Sequence, residues 1–183
     1  MQSGWTGRLL EVDLDGPADS VVEYPRESAE LFLGGFGANN SLFGRFYSSG
    51  TEPLSPGNPI LLGVGPFVGT TVPGSSRIMA NSRLPLTGAV ASASGSMGAG
   101  VMMKRAGYDH IAITGRSASP SVLVIDGGAV ELTPAGGLWG IGILEATERL
   151  HSDYPGSSVI AIGPAGENLE GSGPAGRGTG GSR

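Results

Sequence analysis

Short apolar runs closed by glycine or proline limit the folding of this chain more than any other feature. PILLGVGPFVG at residues 59–69 and SVIAIGPAG at residues 158–166 each hold enough aliphatic side chains for a strand, then stop at residues that turn the backbone. The 34 glycines and 13 prolines would suggest disorder if scattered through polar sequence, but here they punctuate apolar segments and read as turns. At 183 residues the chain is long enough for one hydrophobic core and short for two.

The order of these runs repeats. A strand over Arg8–Leu14, a helix over Ser28–Phe46 opened by LGGFG, and a strand over Pro59–Val64 ending in GPFVG make one set. A strand over Val122–Asp126 with a return at Ala129–Leu132, a helix over Leu138–His151 opened by LWGIG, and a strand over Ser158–Ile162 ending in GPAGE make the other. The recurrence suggests an internal duplication. The strand faces in PILLGV, VLVI and VIAI are expected to form the core, at about 1.5–3 kcal/mol for each fully buried aliphatic side chain.

Between the two sets lies a serine- and glycine-rich stretch, Gly65 to Asp109, in which Arg77 reads as a buried arginine. Backbone without large side chains can lie flat against a bulky polar ligand and offer it N–H and C=O groups. Small-residue strands are expected over Arg77–Ser82 and Gly88–Ala93, a helix over Met97–Ala106 ended by Gly107, and a strand over His110–Thr114. Taken alone, Arg77 is an ordinary strand-end arginine paired with a surface carboxylate, and Ser94 or Ser96 caps the following helix. GSMGAG at residues 95–100 has glycines in the order G-x-x-G-x-G, and no acidic residue ends the His110–Thr114 strand, so a dinucleotide site is not supported.

The chain carries 11 basic and 16 acidic residues, a net charge of −5, which gives no footprint for a nucleic-acid backbone. It has no cysteine, which excludes disulfides and thiolate-held zinc or iron–sulfur centres within this chain. No run approaches the ~20 apolar residues that span a bilayer, and MQSGWTGRLLEVDL does not read as a signal peptide. A soluble cytoplasmic protein is the expectation. His110 and His151 stand without metal-ligand company, and Asp109 and Asp126 read as turn residues.

GWTGRLLEVDL, LGGFG, EPLSPGNPI, GPFVGT, SSR, PLTG, KRAGYDHIAITG and GPAGEN follow one another over roughly residues 4 to 169. In order and approximate spacing this set resembles the N-terminal domain of the aldehyde:ferredoxin oxidoreductases, the tungsten or molybdenum pterin enzymes. The resemblance implies one α+β domain rich in antiparallel strands, built as two intertwined similar halves that form a shallow base for the cofactor. The domain would take residues 1–170, with 171–183 a flexible glycine- and serine-rich tail.

For the site, the resemblance implies that Arg77 lies between a tungsto- or molybdo-bispterin and an iron–sulfur cluster, where an always-charged planar guanidinium suits a bridging position. Ser94, Gly95 and Ser96 fall in the loop that touches the pterin phosphates, and a backbone carbonyl at Ser94 would help hold the magnesium ion that bridges the pterins. Three positions depart from the family here, where Ser94 replaces a common asparagine and Ser96 and Met97 replace glycines. AGRG at residues 175–178 offers Arg177 as a further cofactor contact, although the surrounding segment is collapsed. Phe36 stands where the family often has arginine, which assigns LGGFG to packing.

No residue here is expected to be catalytic by itself. The family's cluster cysteines and its residues near the metal belong to later domains, so the chain is a fragment, a separately encoded subunit or a remnant. As part of an assembly it would serve oxidation of an aldehyde to a carboxylic acid, with electrons passed to ferredoxin. The alternative is a non-catalytic orphan or interaction domain that has lost the cofactor. A downstream iron–sulfur-bearing partner is expected to cover the Ser94–Met103 side, where Met97, Met102 and Met103 would be partly exposed, and a homo-oligomer is open.

Overall fold

The structure, a computed structural model, describes residues 4–16, 19–96 and 98–169. The apolar runs of the first two-thirds of the chain become one six-stranded sheet. Strand β1 (Arg8–Asp13) turns back into β2 (Asp19–Glu23), and two helices follow, α1 (Arg26–Phe32) and α2 (Gly35–Phe46). Next come β3 (Ile60–Val64), β4 (Ile78–Arg83), β5 (Val90–Gly95), α3 (Gly98–Arg105) and β6 (His110–Thr114). The spatial order is β2-β1-β6-β3-β4-β5, and all pairs are antiparallel except β1 with β6. The fold is thus α+β and rich in antiparallel strands, as the sequence implies.

Alternation along the strands divides the core into two layers. On one face Leu9, Leu61 and Ala112 pack beneath Ala38, Leu42 and Phe43 of α2 and Ala29 of α1. On the other, Leu10, Val12, Val64, Ile78 and Ile111 meet Met103 of α3 and Tyr108. A two-stranded hairpin, β7 (Ser121–Asp126) with β8 (Ala129–Pro134), lays Leu123, Ile125 and Val130 against that second cluster. Two helices complete the described chain, α4 (Ile143–Asp153) and α5 (Pro164–Glu167).

The helix expected over Ser28–Phe46 is two helices. Leu33, Gly34 and Gly35 have φ of 61°, 148° and 53°, a run of positive φ that no continuous α-helix could pass through. Packing demands this break: a Cβ on Gly34 would stand 2.5 Å from the Val64 carbonyl oxygen, so only glycine lets the start of α2 approach the end of β3. The second helix begins later than LWGIG suggests, because residues 138–142 form turns with Gly140 at φ 82°.

The two sets differ in the structure: β1 and β3 of the first join the six-stranded sheet, whereas β7 and β8 of the second pair with each other in a separate sheet. Ser158–Ile162, read as a strand from its sequence, pairs with no strand among the described residues, and Ile160 and Ile162 are 63% and 60% exposed. The apolar run is long enough for a strand, but among the described residues no neighbouring strand satisfies its backbone. VIAI therefore contributes little to the core, in contrast to PILLGV. The tail at 171–183 lies outside the described residues.

Candidate functional site

The close approach of α2 to β3 leaves an open groove of about 240 Å³ beside it, lined among others by Gly35, Gly65, Phe67, Ser75, Arg77 and Met79. Gly65 matters most to its shape. Its φ is not in the left-handed region, and a Cβ placed there would meet nothing within 4 Å, so neither backbone conformation nor packing calls for glycine. Its effect is to leave the groove floor bare.

Arg77 stands immediately before β4 at one side of this groove. It is exposed, in contrast to the buried arginine expected, because β4 is followed by the edge strand β5 and no further layer among the described residues covers its start. Its Nη1 donates to Ser94 Oγ at 2.9 Å, and it makes no ion pair among the described residues. The partner it has there is a hydroxyl and not a carboxylate. Ser94 sits opposite Met79 and Gly95 opposite Ile78, with exposed Ser96 following. The structure thus brings Arg77, Ser94, Gly95 and Ser96 to one edge of the sheet. Arg177 lies outside the described residues, as does Met97.

Gly98 and Gly100 of GSMGAG serve packing. A Cβ on Gly100 would stand 3.2 Å from the Ser76 carbonyl oxygen, so the small residue lets α3 rest on the backbone that presents Arg77. Met103 is buried in the core beneath, 6% exposed, and does not belong to the open face predicted for it; Met102 is half-buried. The reason is helical geometry, since successive methionines on α3 point to different sides.

Beneath the groove lies a polar cluster that the sequence reading missed. One cross-strand row on the α2 side of the sheet runs Leu9, His110, Gly63, Met79, Ser94. Gly63 leaves a slot in that row, and the fully buried Asn39 of α2 fills it. A Cβ on Gly63 would stand 2.6 Å from His110 Nδ1, which explains a glycine inside an otherwise aliphatic strand. Asn39 Nδ2 lies 3.1 Å from the carbonyl oxygens of Leu61 and Met79 and 3.0 Å from Asn81 Oδ1, while Asn39 Oδ1 faces His110 Nδ1 at 3.0 Å. That glycine in ILLGV was the one sequence signal available.

Asp109 is likewise more than a turn residue. Completely buried, it accepts the Gly7 amide at 2.7 Å through Oδ2 and pairs through Oδ1 with Lys104 at the end of α3. Burial pushes the neighbouring His110 down to about 4, a shift opposed by the charge of Asp109 and reinforced by that of Lys104. Burial, with help from Asp109, raises Tyr24 to about 12. These groups tie β1, β6 and both helical layers together beneath the groove.

The model of the family described as aldehyde ferredoxin oxidoreductase, N-terminal domain, matches residues 9–172. The chain belongs to that family. A tungsten-containing aldehyde ferredoxin oxidoreductase of Pyrococcus furiosus is 33% identical over 171 residues, which cover 92% of this chain and 28% of the relative. The aliphatic sulfonate oxidoreductase WOR-like subunit of the same organism is 30% identical, over 90% of this chain and 29% of that one. Among solved structures, the active site complex BamBC of benzoyl coenzyme A reductase, in complex with 1,5 dienoyl-CoA, superimposes with a TM-score of 0.88. It is 33% identical, over 92% of this chain and 26% of the other. This chain therefore spans little more than a quarter of the oxidoreductases it matches. Among the described residues no helix is long and apolar enough to cross a membrane, and no group of three or more His, Asp or Glu side chains could hold a metal ion.

Proposed function

We propose that this chain is the cofactor-binding N-terminal part of an aldehyde-oxidising, ferredoxin-linked enzyme with a tungsto- or molybdo-bispterin centre. The observation that carries the reading is Arg77, hydrogen-bonded to Ser94 beside a groove whose floor Gly65 leaves bare. Bound there, such a centre supplies two-electron oxidation of an aldehyde to a carboxylic acid.

The chain's own residues bind and orient. Arg77 spends one of its five N–H donors on Ser94, and the rest of its fixed fork can serve the anionic groups of a ligand. Gly35 and Gly65 let a flat ring system approach the backbone. The Ser94 hydroxyl accepts from Arg77, and the Ser94 main-chain carbonyl would be the group that helps hold a magnesium ion accompanying the pterin phosphates. Gly95 and Ser96 extend the same lip, and Arg177 is the cation that the following segment would add. These residues suit a large, flat, anionic ligand.

Electron exit lies elsewhere. The sequence holds no cysteine, so the iron–sulfur cluster that hands electrons singly to ferredoxin belongs to a partner domain or subunit, for which the greater length of the relatives leaves room. Tungsten and pterin content, measured on the chain purified alone and co-expressed with a cysteine-bearing partner, tests the reading. Metal and pterin are expected in the complex. Their absence from both preparations would overturn the proposal in favour of a domain that has lost its ligand.

A further inference from the structure

Two successive turns of α2 meet the same residue of β4. Gly35, which opens the helix, is buried, and a Cβ there would stand 3.3 Å from Met79 Cγ. Asn39, one turn later and therefore on the same helix face, donates from Nδ2 to the Met79 carbonyl oxygen at 3.1 Å. Gly35 and Met79 both line the groove, and so does Arg77, just before Met79 on the same stretch of chain.

The other partners of the amide make this contact definite. Nδ2 also faces the Leu61 carbonyl oxygen at 3.1 Å and Asn81 Oδ1 at 3.0 Å. A carbonyl oxygen can only accept, so Oδ1 is the atom turned to His110 Nδ1, at 3.0 Å. The ladder continues outward, where Asn81 Nδ2 donates to Asn40 Oδ1 at 3.0 Å, so that neighbouring residues of α2 hold one side chain of β4 between them. Ala38, Leu42 and Phe43, the apolar contacts of α2, are non-directional and tolerate a small slide or roll of the helix. The amide, 0% exposed, does not, because such a shift parts it from its acceptors in a place shut off from solvent.

We propose that Asn39 is a positioning residue for the ligand groove: its carboxamide, seated in the slot left by Gly63, fixes the start of α2 on β4 and so sets the spacing of Gly35 from Met79 beside Arg77. What the groove holds rests on the cofactor reading above, whereas how its width is set rests on these hydrogen bonds. Width matters for a flat ligand, since a wall of glycine has no side chain that could move to close a gap.

Two variants of the full chain, with its partner if one is needed for solubility, test the role. Asn39→Leu keeps the side-chain volume and removes the amide, whereas Leu42→Ala, on the same helix, removes core packing and leaves the amide. In crystal structures Gly35 should move away from Met79 in Asn39→Leu and keep its place in Leu42→Ala. Metal and pterin content per folded chain should fall about tenfold in the first variant and stay within about twofold of the unaltered protein in the second, whatever their unfolding midpoints. Asn39→Ser, whose hydroxyl can turn back to the carbonyl one helical turn earlier, takes the place of Asn39→Leu if that variant does not fold. An unmoved Gly35 or full cofactor content in the Asn39 variant overturns the proposal. Equal loss of cofactor in both variants does the same, since retention would then follow stability. If the unaltered complex holds no pterin, the cofactor reading fails by itself, and the Gly35–Met79 spacing still decides the role of Asn39.

Discussion

Arg77 Nη1 donates to Ser94 Oγ across 2.9 Å, joining residues 17 positions apart at the start of one strand and the end of the next. The bond places a cation, unpaired with any carboxylate among the described residues, at the sheet edge beside the groove. Neither partner contributes to the two core clusters, so the contact can be altered without removing core volume.

Arg77→Ala is therefore expected to leave thermal unfolding nearly unchanged while cofactor retention falls. Loss of one charged hydrogen bond is worth about 1.5–3 kcal/mol, roughly ten- to a hundredfold in affinity. Metal and pterin content per folded chain in the partner-bound complex, compared with unaltered protein, is the measurement.

Two glycines two residues apart should answer differently. Gly65→Val adds a side chain in open space at the groove lining and should lower cofactor content with little change in stability. Gly63→Ala drives a methyl group into the Asn39–His110 contact and should destabilise by about 1–3 kcal/mol, the ordinary cost of overpacking. Paired denaturant titrations and cofactor assays on the two variants distinguish a ligand-facing glycine from a packing one.

His110 sets a pH dependence whose sign is definite. Its folded pKa, about 4, lies below the ordinary 6.5, so the folded state resists a proton that the unfolded state takes up. The contribution to stability is complete above pH 6.5 and is lost as pH falls toward 4. Urea midpoints should fall between pH 7 and pH 5, and His110→Gln should flatten that portion of the profile.

Asp109 and Lys104 should show the asymmetry of a buried pair. Asp109→Asn leaves a largely buried ammonium without its counter-charge and is expected to cost about 3–5 kcal/mol, whereas adding Lys104→Met should recover much of the loss. A double-mutant cycle by chemical denaturation provides the check.

The chain alone should self-associate. Leu144 of α4, 82% exposed, joins Ile160 and Ile162 among large apolar side chains left open to solvent, and such surfaces seek cover. Leu144→Glu with Ile160→Lys should raise the monomer fraction in sedimentation velocity experiments.

Local sequence determined most of the strand inventory. Apolar runs, alternation and turn residues in RLLEVD, ILLGV, IMANSR and HIAIT are properties of a few neighbouring positions, and each segment became a strand within a residue or two of its expected limits. The motif string likewise carried the family, and the neighbourhood of Arg77 and Ser94 followed from it. Tertiary structure decided what depends on partners distant in the chain. Leu33–Gly35 breaks a helix because Val64 lies against it, and Ser158–Ile162 has a strand's apolar run with no neighbour to pair with among the described residues. Met103 turns inward with its side of α3, and Arg77 stays exposed because no layer among the described residues follows the edge strand. The Asn39, Asp109 and His110 cluster was the least legible, since polar residues 71 positions apart acquire meaning only when folding removes water from both.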